Sequence, residues 1–151
     1  MKFPRLGALV LATGLIATLG CGGGPTLAEV TGTVKQNGKG LGKIQVEFLP
    51  EQPGPRSIGV TDESGKYTLK TDGGSAGALV GSHRVILRDI GLFGDKLMGR
   101  KGEGKDLSNG KKPRIPADMS DLAKSKLKKD VAGGKKNEID IEVSAPSPEP
   151  E

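Results

Sequence analysis

The chain is poor in side chains that could do chemistry at a catalytic centre. It has one histidine, His83, and one cysteine, Cys21, among its 151 residues. A catalytic zinc site needs three protein ligands, and histidines usually supply most of them. No Gly-x-Ser-x-Gly segment marks a serine nucleophile, and the glycines from Gly99 to Gly104 lack the preceding strand of a dinucleotide-binding motif. These absences predict a protein that is not an enzyme and has no cofactor or catalytic metal.

Three weaker chemical signals favour structural roles. His83 falls on the inward face of a predicted strand, so we interpret it as a structural residue and not as a general base. The segment Asp62-Glu63-Ser64-Gly65 supplies far fewer than the six to eight oxygen ligands that Ca²⁺ prefers, and it predicts a tight turn with Gly65 at positive φ. Lys35 and Asn137 lie on the first and last predicted strands, as in isopeptide-linked domains. That bond requires a buried acidic partner, whereas strand alternation points Lys35 outward.

Cys21 is placed for a different chemistry, at the end of an apolar leader. A positively charged start precedes the uncharged run from Leu6 to Leu19, and Gly20 and Cys21 close it. This order is typical of a secretory signal peptide, and the run is shorter than the ~20 residues of a membrane-spanning helix. Thr18-Leu19-Gly20-Cys21 resembles the bacterial lipobox. The resemblance implies cleavage between Gly20 and Cys21 and a diacylglycerol on Cys21, whose two acyl chains suffice for stable membrane anchoring.

These features divide the chain into four parts. Residues 1–20 are predicted to be the signal peptide, 21–28 the lipidated cysteine with a flexible tether, 29–143 a single β-sandwich, and 144–151 a disordered Pro-rich tail. The predicted location is the cell envelope, with the protein facing the periplasm or the surface. The outer membrane is slightly preferred, because Gly22 follows the cysteine where an aspartate would favour inner-membrane retention.

From residue 29 onward, apolar and polar residues alternate with a period of two, which is typical of strands with one buried face. The positions predicted to share the buried face are Val30, Gly32, Val34, Ile44, Val46, Phe48, Tyr67, Leu69, Val85, Leu87, Ile139, Ile141 and Val143. Asn37-Gly38 predicts a hairpin, because both residues tolerate positive φ. Short strands separated by turns at this spacing predict an all-β antiparallel sandwich of two sheets.

The strand motifs also occur in a recognisable order. They are Val30-x-Gly32-x-Val34, Asn37-Gly38-Lys39-Gly40-Leu41, Val46-x-Phe48-x-Pro50, Thr61-Asp62-x-x-Gly65-x-Tyr67-x-Leu69, Gly77-Ala78-x-x-Gly81-x-His83-x-Val85 and Ile115-Pro116. In this order they resemble bacterial lipoproteins with a carboxypeptidase-regulatory-like domain. The resemblance covers most of the mature chain and implies an antiparallel transthyretin-like (prealbumin-like) sandwich of about seven strands. It does not imply peptidase activity, because the domain is named after the peptidases to which it is attached.

Positive charge is concentrated in one part of the chain. Residues 96–136 contain thirteen Lys or Arg against five Asp or Glu. One interpretation is attraction to an anionic partner such as lipid head groups, wall polymers or acidic polysaccharide; the alternative is a solvated segment whose charges oppose aggregation. Nucleic acid is not expected as a partner, because the chain is predicted to be exported and the segment lacks aromatics for stacking. The candidate contacts are Lys96, Arg100, Lys101, Lys105, Lys111, Lys112 and Arg114.

The region from residue 90 to residue 136 has the weakest pattern. Residues 91–112 are predicted to form an exposed, mobile basic loop. Residues 119–127 favour a helical turn capped by Asp118 or Ser120, whereas 126–131 could form a strand that pairs with 139–143 across Gly133-Gly134. We favour this hairpin for residues 126–131.

Two functions from different classes remain. The first is a non-catalytic interaction or structural module, with an unidentified envelope protein or glycan as its partner and the membrane contacted through Cys21. The second is a small transthyretin-like hydrolase of ureide or similar substrates. Such enzymes use several histidines and an arginine, so the single histidine of this chain favours the first function.

Overall fold

The computed structural model describes residues 26–93 and 112–144. Several predicted parts of the chain lie outside these ranges: the signal peptide, Cys21, most of the tether, the basic residues from Lys96 to Lys111 and the tail from residue 145. The described part is mostly β, with two one-turn helices. The strands are β1 Leu27–Ala28, β2 Val30–Gln36, β3 Lys39–Gly40, β4 Ile44–Pro50, β5 Ser57–Val60, β6 Lys66–Thr68, β7 Lys70–Thr71, β8 Ala78–Leu79, β9 Gly81–Asp89, β10 Lys128–Val131, β11 Asn137–Glu138 and β12 Ile141–Glu142. The helices are α1 Ile90–Phe93 and α2 Ala117–Ser120.

The first sheet has the strand order β10-β9-β4-β5-β7, and all of its pairings are antiparallel. Its centre is the pairing of β4 with β9, which runs from Ile44 opposite Asp89 to Pro50 opposite His83. Ile44, Val46 and Phe48 are fully buried on one face, as their alternation predicts. This long central pairing fixes the positions of both ends of β9.

The second sheet is built around β2. Strands β3 and β6 pair with one side of β2 in the antiparallel direction, and β11 and β12 pair with the other side in the parallel direction. The prediction of a wholly antiparallel arrangement is therefore wrong for the last strand. Alternation reveals which residues face the core, but it carries no information on strand direction.

The predicted hairpin between residues 126–131 and 139–143 is also wrong, although a strand does form at Lys128–Val131. Its partner is β9, with Val131 opposite Gly81. Asn137 explains why the chain does not turn back on itself. Its side-chain oxygen accepts from the Ala132 N–H (2.9 Å), and its amide nitrogen donates to the carbonyls of Ala132 and Lys135. These hydrogen bonds fix the turn so that the chain crosses to the second sheet. There the Asn137 N–H donates a hydrogen bond to the Glu29 carbonyl.

The join between β11 and β12 is held by three side-chain features. The carbonyl of Ile139 lies so close to Gly32 that a Cβ there would stand 1.9 Å from its oxygen. The same oxygen accepts a 2.6 Å hydrogen bond from the Tyr67 hydroxyl. The carboxylate of Asp140 takes the place of a backbone acceptor and binds the Thr33 N–H at 2.8 Å. This junction of Gly32, Tyr67, Ile139 and Asp140 keeps the broken last strand in register with β2.

One apolar core joins the two large sheets. Val46, Phe48 and Leu87 come from the first sheet, while Val34 and Ile141 come from the second. Ile115, from the segment that follows residue 112, is 3 % exposed and belongs to the same cluster. In the described residues, no helix is long and apolar enough to cross a bilayer.

Several predicted boundaries shift by a few residues. The flexible tether was predicted to run to residue 28, but Leu27–Ala28 forms β1 and pairs with β8, because Ala28 is buried in the core. The loop was predicted to begin at Gly91, but Ile90–Phe93 is helical, because the Asp89 carboxylate accepts from the Leu92 N–H at 3.2 Å. The helical turn is at Ala117–Ser120, and no side-chain hydrogen bond caps it.

Two predicted turns are confirmed. Asn37 and Gly38 both have positive φ, at 51° and 75°, and they connect β2 to β3. Asp62 and Gly65 close the second turn, in which Gly65 has a φ of 85°. The Asp62 carboxylate accepts from the Ser64 N–H, the Ser64 hydroxyl and the Lys66 N–H. These bonds lower the pKa of Asp62 and give its carboxylate a structural role in the turn.

Candidate functional site

Two of the seven basic residues predicted to contact an anionic partner lie in the described part of the chain, and the fold brings them together. Lys112 and Arg114 line a cleft of about 270 Å³ at the end of the first sheet, where β4 begins and β9 ends. We call this site the basic cleft. It is lined by Gly42, Lys43, Asp89, Gly91, Leu92, Lys112 and Arg114.

Arg114 is held in a fixed position by a buried carboxylate. Its Nε lies 2.7 Å from Oδ2 of Asp89, and its Nη2 lies 2.5 Å from Oδ1. Nη2 also donates to the Gly42 carbonyl at 3.0 Å. The Asp89 side chain is 4 % exposed and that of Arg114 is 38 % exposed, so one edge of the guanidinium faces the protein. The hydrogen bonds that Arg114 donates to Asp89 raise the pKa of Arg114, and the arginine stays charged.

The remaining edge of the Arg114 guanidinium consists of Nη1. This nitrogen donates to no group within residues 26–93 and 112–144. Within those residues, both N–H groups of Nη1 are therefore without an acceptor. The predicted contact of Arg114 with a partner is thus compatible with its ion pair, but only through Nη1.

Lys43 stands at the edge of the cleft in a conformation that is rare for a residue with a side chain. Its φ is +61°, in the left-handed region that costs a non-glycine residue about 1–2 kcal/mol. Its backbone is fixed on both sides, because the Lys43 N–H donates to the Thr61 carbonyl at 3.1 Å and its own carbonyl accepts from Gly91 at 3.2 Å. A glycine would adopt this conformation without strain. The lysine side chain is exposed.

Gly91 leaves the floor of the cleft bare. A Cβ at this position would lie 3.0 Å from Nη2 of Arg114 and 3.2 Å from Cβ of Lys43. Any side chain here would push against Arg114 and Lys43, two of the three cationic residues that line the cleft. The absence of a side chain therefore preserves both the space and the position of Arg114.

The basic cleft carries excess positive charge. Lys43, Lys112 and Arg114 supply three positive charges and Asp89 one negative charge, which gives a formal charge of +2 for the lining. Lys43 and Lys112 are exposed, and neither forms an ion pair with another described residue. Within a concave surface, such an excess raises the local concentration of anions.

The basic cleft lies at the opposite end of β9 from the start of the domain. At the beginning of β9, the Val80 N–H donates to the Thr26 carbonyl, which ties the first described residue to this end of the sheet. The strand then runs nine residues, from Gly81 to Asp89. At the usual rise of a strand, its two ends are about 27 Å apart. The cleft is therefore remote from the point at which the tether joins the domain.

His83 is not part of this site. It is 0 % exposed, its Nδ1 lies 3.0 Å from the Gly81 carbonyl, and its ring packs against Phe48 with centroids 5.6 Å apart. Burial lowers the pKa of His83, so the ring is neutral at pH 7. The inward-facing, structural placement predicted for this residue agrees with its position.

The two residues considered for an isopeptide crosslink are separated in the fold. Lys35 forms an ion pair with Asp140 at 2.7 Å, whereas Asn137 lies opposite Val30, five residues away along β2. The interaction raises the pKa of Lys35 and lowers that of Asp140. The Lys35 amine is thereby kept in its charged form, which cannot attack the Asn137 amide. The pair is an ordinary surface salt bridge.

The structure adds groups that sequence reasoning missed. Asp89, Lys43 and Gly91 belong to the basic cleft, but nothing in the sequence pattern marks them. Glu47 was placed outward by alternation, yet its side chain is 3 % exposed, because Arg56 and Arg88 each bind one of its oxygens at 2.9 Å. Nε of Arg56 also lies 3.7 Å from Oδ2 of Asp72. The two arginines and two carboxylates therefore compensate one another, so the Glu47 cluster stabilises the sheet surface and is not an open site.

Within the described residues, no group of three or more His, Cys, Asp or Glu side chains is arranged to hold a metal ion. Comparison of the chain with protein-family models, curated proteins and solved structures gave no match.

Proposed function

We propose that this chain is an exported cell-envelope lipoprotein, held to a membrane by a diacylglycerol on Cys21, whose β domain is a non-catalytic binding module. The observation that carries the proposal is the basic cleft, in which a buried carboxylate fixes Arg114 beside two exposed lysines at the end of the sheet. The partner is an anionic component of the envelope, on a protein or a glycan.

The geometry fits a tethered protein. Only four residues separate Cys21 from the first described residue, Thr26, so the tether spans at most about 18 Å. The domain begins at one end of β9 and the basic cleft lies at the other. An anchored molecule can therefore hold its cleft about 27 Å beyond the point of attachment. The outer membrane is the slightly preferred location.

The fold that we propose is the transthyretin-like sandwich of carboxypeptidase-regulatory-like domains. Two sheets share one core, and most of their pairings are antiparallel. The motifs that carry the resemblance fall on β2, β4, β6 and β9. The parallel pairing of β11 and β12 with β2 is the feature in which this chain departs from a wholly antiparallel sandwich.

A binding role is favoured over hydrolysis because of the position of the single histidine. His83 is enclosed in the core and bonded to its own strand. A hydrolase of ureides or similar substrates needs a base that reaches solvent and substrate. Neither condition is met by this ring.

The lipid anchor is tested by replacing Cys21 with serine and following the protein in envelope fractions. The native chain should be recovered with the membrane and should carry a diacylglycerol on residue 21 by mass spectrometry. Cys21→Ser should accumulate as an unlipidated precursor or a soluble form. Recovery of envelope-bound native protein with residues 1–20 attached and a free thiol would overturn the anchor.

A further inference from the structure

We propose that the basic cleft is a binding site for a phosphate group, held by Lys43, Lys112 and Nη1 of Arg114. This inference rests on the proposal that the domain binds an anionic partner, but it does not depend on the lipid anchor. It adds to that proposal the chemistry of the ligand and the atoms that contact it.

The conformation of Lys43 is the first argument. Lys43 has a left-handed backbone conformation, which a glycine would adopt without strain. Strained backbone of this kind is concentrated at binding and catalytic sites, where the side chain has a use that offsets the cost. At this position the side chain places an ammonium group at the edge of the cleft. The strain is accounted for if that ammonium group binds a ligand.

The positioning of Arg114 is the second argument. Asp89 and the Gly42 carbonyl occupy Nε and Nη2 and fix the plane of the guanidinium. Because the group is already ordered, little side-chain entropy is lost when Nη1 binds a ligand. Gly91 has no side chain that would displace this guanidinium, since a Cβ there would lie 3.0 Å from Nη2.

The charge of the cleft selects phosphate over carboxylate. The lining has a formal charge of +2, and a phosphate monoester carries about −1.5 to −2 at pH 7. Lysines act as point charges toward phosphate oxygens, and the proposed site pairs two ammonium groups and Nη1 with the oxygens of one phosphate group. A carboxylate has two oxygens and a single charge, and it would leave one cation without a partner.

The phosphate could belong to a soluble or polymeric phosphate ester or to a lipid head group. These sources differ in charge, because most phospholipid head groups join their phosphate in a diester with one negative charge. The cleft is also remote from the tethered end of the domain. Three water-soluble probes separate the sources: inorganic phosphate, glycerol phosphate as a monoester, and glycerophosphoglycerol as a lipid-head-group diester.

The test is a titration of the ¹⁵N-labelled full chain with each probe at pH 7.5, followed by amide chemical shifts. We expect inorganic phosphate and glycerol phosphate to shift the amides of Gly42 and Gly91 in a saturable way. Tighter binding of the diester than of the monoester would identify a lipid head group as the source. Shifts scattered over the surface, or none at Gly42 and Gly91, would overturn the proposal.

Lys43→Gly is the decisive variant, because it removes the charge and relieves the strain together. We expect phosphate to bind about tenfold more weakly, as for the loss of one charge-assisted contact, while the melting temperature stays the same or rises. Lys70→Ala is the matched control, since Lys70 is an exposed lysine on β7 and is not among the residues that line the cleft. Equal phosphate affinity in Lys43→Gly and Lys70→Ala would refute the site.

The two proposals fail separately. If phosphate does not bind while residue 21 carries a diacylglycerol, the phosphate site is wrong and the lipoprotein assignment stands. If phosphate binds at the cleft while Cys21 is unmodified, the lipoprotein assignment is wrong and the phosphate site stands.

Discussion

The hydroxyl of Tyr67 offers a sharp test of how the last strand is held. Tyr67 is 3 % exposed, and its hydroxyl donates a 2.6 Å hydrogen bond to the Ile139 carbonyl at the break between β11 and β12. Tyr67→Phe keeps the ring and removes only this donor. A typical hydrogen bond contributes about 0.5–1.5 kcal/mol, and a buried acceptor left without its partner costs about 1–3 kcal/mol. We expect the free energy of unfolding to fall by about 2 kcal/mol.

Urea denaturation at neutral pH measures this loss directly. For a domain of this size the slope is about 1–3 kcal/mol per molar urea, so the midpoint should fall by about 1 M with an unchanged slope. Thr68→Val is the control, because Thr68 is the next residue of β6 and its side chain is exposed. Its effect should stay within about 0.5 kcal/mol. If Tyr67→Phe costs no more than this control, the hydroxyl does not secure the junction and our account of the strand break is wrong.

Three further outcomes follow from the same structure. Gly32→Ala should destabilise the domain by about 3 kcal/mol or more, because its Cβ would stand 1.9 Å from the Ile139 oxygen; a circular dichroism melt like that of the native protein would contradict this packing. Phe48→Ala should cost about 3–5 kcal/mol in urea, and a loss below about 1 kcal/mol would show that Phe48 is outside the core. Burial lowers the pKa of His83 from 6.5, so the unfolded chain takes up a proton more readily and stability should fall as pH drops below about 6.5. His83→Phe should flatten this dependence between pH 7.5 and pH 5, and an equally steep dependence in the variant would exclude His83 as its source.

The faces of the central strands follow from the sequence because alternation is local. Val30 and Val34 on β2, and Ile44 and Phe48 on β4, are buried as their spacing predicts. The Asn37-Gly38 turn is equally local, since it depends on two adjacent residues that tolerate positive φ. Both the buried face of a strand and the type of this turn are determined by residues that lie within a few positions of one another in the sequence.

The features that escaped prediction depend on contacts between distant residues. The direction of the last strand is decided by how Asn137 binds the preceding turn, and alternation is the same for either direction. Glu47 is buried because Arg56, which precedes β5, and Arg88, on β9, bind its carboxylate. The basic cleft joins residues from three parts of the chain, and the positive φ of Lys43 has no signature in residue type.

The pairing of β2 with β11 and β12 also governs when the domain can fold. The Thr33 N–H bonds the side chain of Asp140, 107 positions later, so one side of β2 stays open until almost the whole domain has been synthesised. Closing so long a loop is slow, because the chain loses conformational entropy before it forms the contacts that offset this loss. A nascent chain with this strand order lacks one side of its second sheet until β11 and β12 have been synthesised. The order of its strands thus delays the completion of the core until the last of them is present.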